Sequence, residues 1–357
     1  MRRFLLSLAV LTSLVAVADT RSIATLQGEL RVLERPSTNG HADFILGIDS
    51  AKQSIEMENY HLTDLAVAQS LANAQGRGVK VRLILDAHAL TGATAQAALK
   101  ILSDGGVVVQ PSSPAFSITH SKVMVVDREV GYVTTINLTR TTKDTRDLGV
   151  VFEDKQVIED IETIFEADWK NANTKGMETP EVKSNALVIS PVNSRQKLVE
   201  LITSAQKAIA TTVENLGDMA IRDALAETAR RGISVRLILP MCDLNSDPLH
   251  NYPDSQILAS AGVQIHVMPS PSSPTQPYIH SKMMVVDGTD LYIGSVNFSF
   301  NSTQKAREIG LIFRDIGFGR EVLKTFETDW SASVPLPATP PTTCRALPNA
   351  LGPTASF

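Results

Sequence analysis

Two stretches of the chain alternate helix-like and strand-like patterning in the same order. A segment rich in Ala and Leu follows Asp64, and another surrounds Asp223; they end at Gly78 and Gly232. An acidic residue before such a segment and a glycine after it are start and stop signals for a helix. Apolar-rich runs come next, Val79–Leu85 and Ile233–Leu239, and their length predicts mostly buried strands. A second helix and a short strand (Val107–Val109; Val263–Val267) then lead through a Pro- and Ser-rich loop to a further strand. Two more strands and a closing helix (Ile158–Trp169; Phe318–Trp330) complete each stretch. Alternating helices and strands predict an α/β fold with a sheet covered on both faces.

The agreement extends to the letters. "SAKQSI" (Ser50–Ile55) returns as "SAQKAI" (Ser204–Ile209), "MENY" at Met57 as "VENL" at Val213, and "RGVKVRLILD" (Arg77–Asp86) as "RGISVRLILP" (Arg231–Pro240). "ITHSKVMVVD" (Ile118–Asp127) returns as "YIHSKMMVVD" (Tyr278–Asp287), and "TRDLGVVF" (Thr145–Phe152) as "AREIGLIF" (Ala306–Phe313). Read this way the offset drifts between 154 and 161 residues. That period is too long for a solenoid and marks a duplicated domain. The expected organisation is a first lobe over 19–175, a polar linker over 176–185, a second lobe over 186–335 and a Pro-rich tail over 336–357.

The first eighteen residues change the picture of where the protein works. Arg2 and Arg3 precede an uncharged, mostly apolar run, and Ala16-Val17-Ala18 has the form of a cleavage site. A cleavable signal peptide and a secreted or periplasmic protein are expected. Removal of both arginines takes the formal charge from −5 to −7, which disfavours a long polyanion as partner. Cys242 and Cys344 are the two cysteines; in an oxidising compartment they could form one disulfide or remain two thiols.

The chemistry lies in the duplicated His-Ser-Lys run. In a strand, residues i and i+2 share a face, so His120 with Lys122, and His280 with Lys282, point the same way. Asp127 and Asp287 fall on the opposite face at a turn, where a structural role is expected. Thr135-Ile136-Asn137 and Ser295-Val296-Asn297 repeat the i, i+2 geometry downstream. Each copy therefore offers an imidazole, an ammonium, a hydroxyl and an amide. Two such sets suit a phosphodiester: lysines and amides on the non-bridging oxygens, one neutral histidine to attack phosphorus, one protonated histidine to donate to the leaving oxygen. Lysines supply charge that a metal would otherwise bring, so no metal or other cofactor is expected. A given histidine begins H-x-K-x4-D by chance about once in 400, and two hits with the same downstream pair are not coincidence. His41, His61, His88, His250 and His266 show no zinc-ligand spacing, and there is no G-x-S-x-G elbow.

These residues resemble the phospholipase D superfamily, with its signature H-x-K-x4-D-x6-G-S-x-N. The second copy matches in full: His280, Lys282, Asp287, Gly294, Ser295, Asn297. The first has His120, Lys122, Asp127 and Asn137, with Thr134-Thr135 in place of Gly-Ser. The resemblance spans about residues 30–335. It implies two tandem α-β-α sandwich lobes related by a pseudo-twofold axis and sharing one active site. It implies a phosphohistidine, with His120 as nucleophile and His280 as acid and base, and His120, Lys122, Asp127, His280, Lys282 and Asp287 as the catalytic set. Lys122, Thr135, Asn137, Lys282, Ser295 and Asn297 would hold the phosphate. An acidic residue after each histidine would orient that imidazole: Asp147 for His120 and Glu308 for His280, 27 and 28 positions on. The superfamily includes phospholipases, phosphatidyltransferases and nucleases. Export and acidity favour a phospholipid substrate at a membrane surface, with nucleic acid as the alternative and a catalytically silent binding protein as the third reading. A single chain holding both half-sites is expected to work as a monomer without an obligate protein partner. Phe116, Tyr278, Leu249 and Tyr252 are candidates to touch lipid.

Overall fold

Asp64 and Asp218 each cap a helix through the side chain, accepting from the backbone N–H of Ala66 and Val67 and of Ala220 and Ile221. The helices Leu65–Gly76 and Met219–Arg230 begin there. Gly78 and Gly232 then adopt φ of +91° and +84°, a conformation that costs glycine little, and turn the chain into the strands Lys80–Leu85 and Ser234–Pro240. The computed structural model describes residues 23–139, 144–242, 247 and 250–340. The expected signal peptide, Leu249, Cys344 and the tail beyond residue 340 lie outside the described residues. Cys242 is buried and disulfide-bonded.

Each lobe is built on an eight-stranded mixed sheet. In the first, Ser54–Asn59 pairs in parallel with Lys80–Leu85 and antiparallel with the motif strand Lys122–Val126. In the second, Ala208–Thr212 pairs likewise with Ser234–Pro240 and with the motif strand Met283–Val286. The register corrects one correspondence. Met57 stands opposite Leu83 and Met124, and Thr211 opposite Leu237 and Met284. The matching residues are thus Met57 and Thr211, with a constant offset of 154 through to the capping aspartates, and "MENY" aligned on "VENL" is two residues out. The slip passes unnoticed in sequence because strand side chains alternate with period two, so a shift of two residues keeps every side chain on its face.

The lobes are interleaved at the centre. The two-residue strand Tyr278–Ile279 of the second lobe pairs with Thr145 and Arg146 of the first, and Thr119 of the first bridges to Arg307 of the second. One apolar core spans both lobes, with Val123, Val125 and Leu148 in the same cluster as Met283, Val285 and Ile309. Two further cores fill the space between each sheet and its own helices.

The arginines of "TRDLG" and "AREIG" also cross. Arg146 reaches Asp329 of the second closing helix through Nε at 2.7 Å and Nη2 at 2.9 Å. Arg307, fully buried, reaches Asp168 of the first closing helix through Nη2 at 2.9 Å. Removing one partner of a buried pair strands the other's charge. Arg146→Met is therefore expected to destabilise the protein by about 3–5 kcal/mol, read as a lower denaturant midpoint with the slope unchanged. A midpoint equal to that of the parent would show that the crossed arginines do not hold the lobes together.

Candidate active site

His120 and His280 sit just before their motif strands, and their backbone anchors explain the site. The N–H of His120 donates to Arg307 O at 2.8 Å, and the N–H of His280 donates to Arg146 O at 3.1 Å. Each histidine is thus hydrogen-bonded to the strand of the other lobe, one residue before that strand's acid. His120 Nδ1 lies 3.0 Å from Glu308 Oε2, and His280 Nδ1 lies 2.6 Å from Asp147 Oδ1. Each acid does face an imidazole, but not the one in its own copy: the pairs Asp147–His120 and Glu308–His280 expected from the repeat are exchanged. The bridging pairings described above are the physical reason.

The two imidazole centroids are 6.4 Å apart with the ring planes at 79°, close enough for both rings to reach one phosphorus. Lys122 Nζ donates to His120 O at 2.7 Å, and Lys282 Nζ donates to His280 O at 2.5 Å. Asn137 and Asn297 are buried. Asn297 Oδ1 accepts from Asn215 N at 3.1 Å, which fixes the amide, whereas Asn137 Oδ1 is buried with no partner among the described residues.

Four expected site residues lie elsewhere. Thr135 and Ser295 are fully buried and spend their hydroxyls on the acid-bearing strands. Thr135 Oγ1 donates to Asp147 Oδ1 at 2.6 Å and accepts from Leu148 N at 3.0 Å; Ser295 Oγ donates to Ile309 O and accepts from Ile309 N. Their hydroxyls brace the acid-bearing strands and are already engaged there. Asp127 and Asp287 stand five residues beyond the lysines, on the order of 16 Å along a strand. Each takes φ near +50° and accepts from three consecutive backbone N–H groups: Lys52, Gln53 and Ser54 for Asp127, and Gln206, Lys207 and Ala208 for Asp287. The lipid candidates also resolve: Phe116 is buried under the Arg307 guanidinium, Tyr278 is buried, and Tyr252 OH donates to Pro337 O.

Burial and crowding of like charge set the protonation of the site. Burial first, then Lys122, Lys282 and His280, hold His120 well below the usual histidine range. Burial and the facing Lys282 bring Lys122 down to about 7. Burial pushes Glu308 up to about 7, against the pull of Lys122. Burial would also raise Asp147, but the charge of His280 and hydrogen bonds from His280 and Thr135 outweigh it and keep this carboxyl ionised.

Three residues at the centre were not legible in sequence. Tyr60 packs edge-on to His120 at 4.9 Å between centroids, with Lys122 Nζ 5.4 Å over its ring. His61, beside Tyr60, is brought down to about 4 by burial, Lys122 and His280. Glu214, at the position in the second lobe that Tyr60 holds in the first, accepts from Lys282 Nζ at 2.9 Å and from Tyr278 OH at 2.9 Å. The shared "EN" of "MENY" and "VENL" pointed to Glu58 as the counterpart of Glu214. Glu58 instead accepts from Ser121 on the other side of the motif strand.

Among the described residues no three His, Cys, Asp or Glu side chains are grouped to hold a metal ion, and no helix is long and apolar enough to cross a membrane.

A family model described as "Cardiolipin synthase, PLD-like domain" matches twice, over residues 44–169 and 198–330. A probable cardiolipin synthase of Bacillus subtilis (strain 168) is 24% identical over 72% of this chain and 56% of its own length; the chain thus spans little more than half of that relative. A cardiolipin synthase of Geobacillus sp. (strain WCH70) is 25% identical over 88% of this chain and 69% of its own length. A 5'-3' exonuclease of Mus musculus is 36% identical over 25% of this chain and 18% of its own. Among solved structures, phosphatidylserine synthase of Haemophilus influenzae Rd KW20 superimposes with a TM-score of 0.64 at 13% identity, covering 88% of this chain and 89% of its own, a likeness of fold.

Proposed function

The chain belongs to the phospholipase D superfamily, through its two PLD-like domains, and we propose that it carries the phosphatidyl group of a glycerophospholipid on His120 and passes it to an alcohol or to water. The observation that carries the reading is the pair of facing imidazoles, each with its own carboxylate at Nδ1 and its own lysine. In the first step His120 Nε2 attacks phosphorus, the bond from phosphorus to the head-group oxygen breaks, and the proton of His280 goes to that oxygen. In the second, the acceptor gives its proton to His280, its oxygen attacks phosphorus, and the P–N bond breaks. An alcohol acceptor yields a new phosphodiester; water yields phosphatidic acid. Lys122, Lys282 and the amides of Asn137 and Asn297 answer the charge on the non-bridging oxygens.

Relatives named cardiolipin synthase along most of the chain support a phospholipid over other diesters. The Arg2-Arg3 segment with its Ala16-Val17-Ala18 site supports work outside the cytoplasm. The test offers the purified protein mixed phospholipid vesicles with and without glycerol, and separately single- and double-stranded DNA, with His120→Ala as control. Head-group release, diverted by glycerol to a transfer product and absent from the control, is the expected result. DNA cleavage without head-group release would sink the lipid reading and favour the nuclease that the short exonuclease match suggests.

The lysine also sets a pH dependence. Lys122 is a cation below about 7 and loses its proton as pH rises through that value. The phosphodiester is an anion at every pH in this range, so kcat/KM is expected to fall on the alkaline side of about pH 7. Arginine stays charged throughout, so with 4-nitrophenolate as leaving group, which takes no proton from His280, Lys122→Arg is expected to flatten that limb while lowering the maximum. A parent profile level to pH 9 would contradict the assignment.

A further inference from the structure

The half-sites match in histidine, lysine, asparagine and crossed acid, and differ at two adjacent positions, Tyr60-His61 in the first lobe and Glu214-Asn215 in the second. Leu62 bridges to Leu138 and Leu216 to Phe298, and two residues before these leucines stand Tyr60 and Glu214. With Nδ1 of His280 taken by Asp147, the reacting nitrogen is Nε2, and Glu214 Oε2 lies 3.6 Å from it. His120 has Glu308 as its one carboxylate within ion-pair distance among the described residues, and the edge of the Tyr60 ring beside it.

We propose that Glu214 makes the two half-sites unequal: it keeps positive charge on the His280 side, so that His280 is the proton donor to the leaving oxygen, while Tyr60 in the matching place leaves His120 uncharged as the nucleophile. This rests on the two-histidine reading above, but not on the substrate being a lipid. His280 faces Asp147 from the strand Thr145–Phe152, Glu214 from the turn after Ala208–Thr212, Lys282 from its own segment, and His120 across the cleft; His61 is within electrostatic reach of it, and the Tyr278 hydroxyl is bound to Glu214. Two carboxylates lie within ion-pair distance of His280 and one of His120; Glu214 also acts on His120, but from outside ion-pair distance. An opposite charge within about 4 Å favours an imidazolium, and groups of one type driven apart in this way divide into acid and base. Glu214 is itself buried and ionised, since Lys282 and His280 outweigh the burial that would raise it. Lys282 answers its charge, so an incoming phosphate does not meet a bare carboxylate. When the P–N bond to His120 forms and the P–O bond breaks, the proton leaves His280 Nε2 for the departing oxygen; Glu214 acts through His280 and is a positioning residue.

The experiment uses the full chain and a series of aryl methyl phosphodiesters, whose leaving phenols run from 4-nitrophenol, which needs no proton, to phenol, which does. In Glu214→Gln the ratio of the 4-nitrophenyl rate to the phenyl rate is expected to rise about tenfold or more over the parent, and Glu214→Asp, which keeps the charge, to recover most of the parent ratio. A purely structural Glu214 would lower both rates together; an unchanged ratio in a folded variant overturns the proposal. Imidazole 15N spectra of the parent, assigned with His120→Asn and His280→Asn, decide the point without turnover. A His280 more protonated than His120 at one and the same pH is the expected result, and the reverse pattern overturns it. Failure on vesicles with the ratio shift intact would remove the lipid reading alone.

Discussion

Replacing His120 with alanine is expected to lower turnover by about 10³-fold or more and to remove any phosphoenzyme, because it deletes the proposed nucleophile. His280→Ala is expected to be as damaging with an alkyl leaving group and far less so with 4-nitrophenolate, which leaves without a proton. The two variants are therefore separated by trapping: acid-labile phosphate should accumulate on His280→Ala when an activated diester is supplied, and not on His120→Ala. The physical basis is the unequal surroundings of the rings. His120 is held neutral by burial and by three neighbouring cationic or imidazole groups, and a neutral imidazole is the form with a free electron pair. Label on His120→Ala and none on His280→Ala would reverse the roles.

Cutting the chain between residues 176 and 185 is expected to leave two inactive pieces. Each piece retains one His-Ser-Lys run, but its histidine loses its carboxylate, since Glu308 serves His120 and Asp147 serves His280. Each would also expose its share of the apolar core that spans both lobes. Mixed pieces regain activity only as far as they reassemble, and a monomeric piece with full activity would refute a shared cleft. A point variant tests the exchange itself. With an activated diester, where His280 is not needed, Glu308→Gln is expected to slow phosphoenzyme formation by about 10²-fold or more, by analogy with loss of the acid in a Ser-His-Asp triad. Asp147→Asn is expected to leave that step nearly intact. If Asp147→Asn slows it and Glu308→Gln does not, the acids serve their own lobes after all.

The sequence by itself determined the duplication, the α/β class and the two His-Ser-Lys runs that the fold brings face to face. These are read from short-range regularities. A capping aspartate, a turn glycine and an i, i+2 spacing act within one element, and repeating them in order leaves little freedom for a different architecture. Asp147 and Glu308 were found as well, because position in the repeat survives in the letters. Their partners were not, because a repeat records that two lobes are alike and carries no statement of how they dock. The exchange of acids comes from Tyr278–Ile279 and Thr119 pairing with strands more than 130 residues away, which only the packed molecule decides. Thr135 and Ser295 illustrate the same limit at shorter range: hydroxyl-x-Asn geometry puts both groups on one face, but the neighbouring strand's N–H and carboxylate claim the hydroxyl first. Tyr60 and Glu214 were hidden by a two-residue slip, to which strand alternation is blind. Hydrogen bonding across the sheet sets the register, and that register alone puts a phenol ring beside one histidine and a carboxylate beside the other.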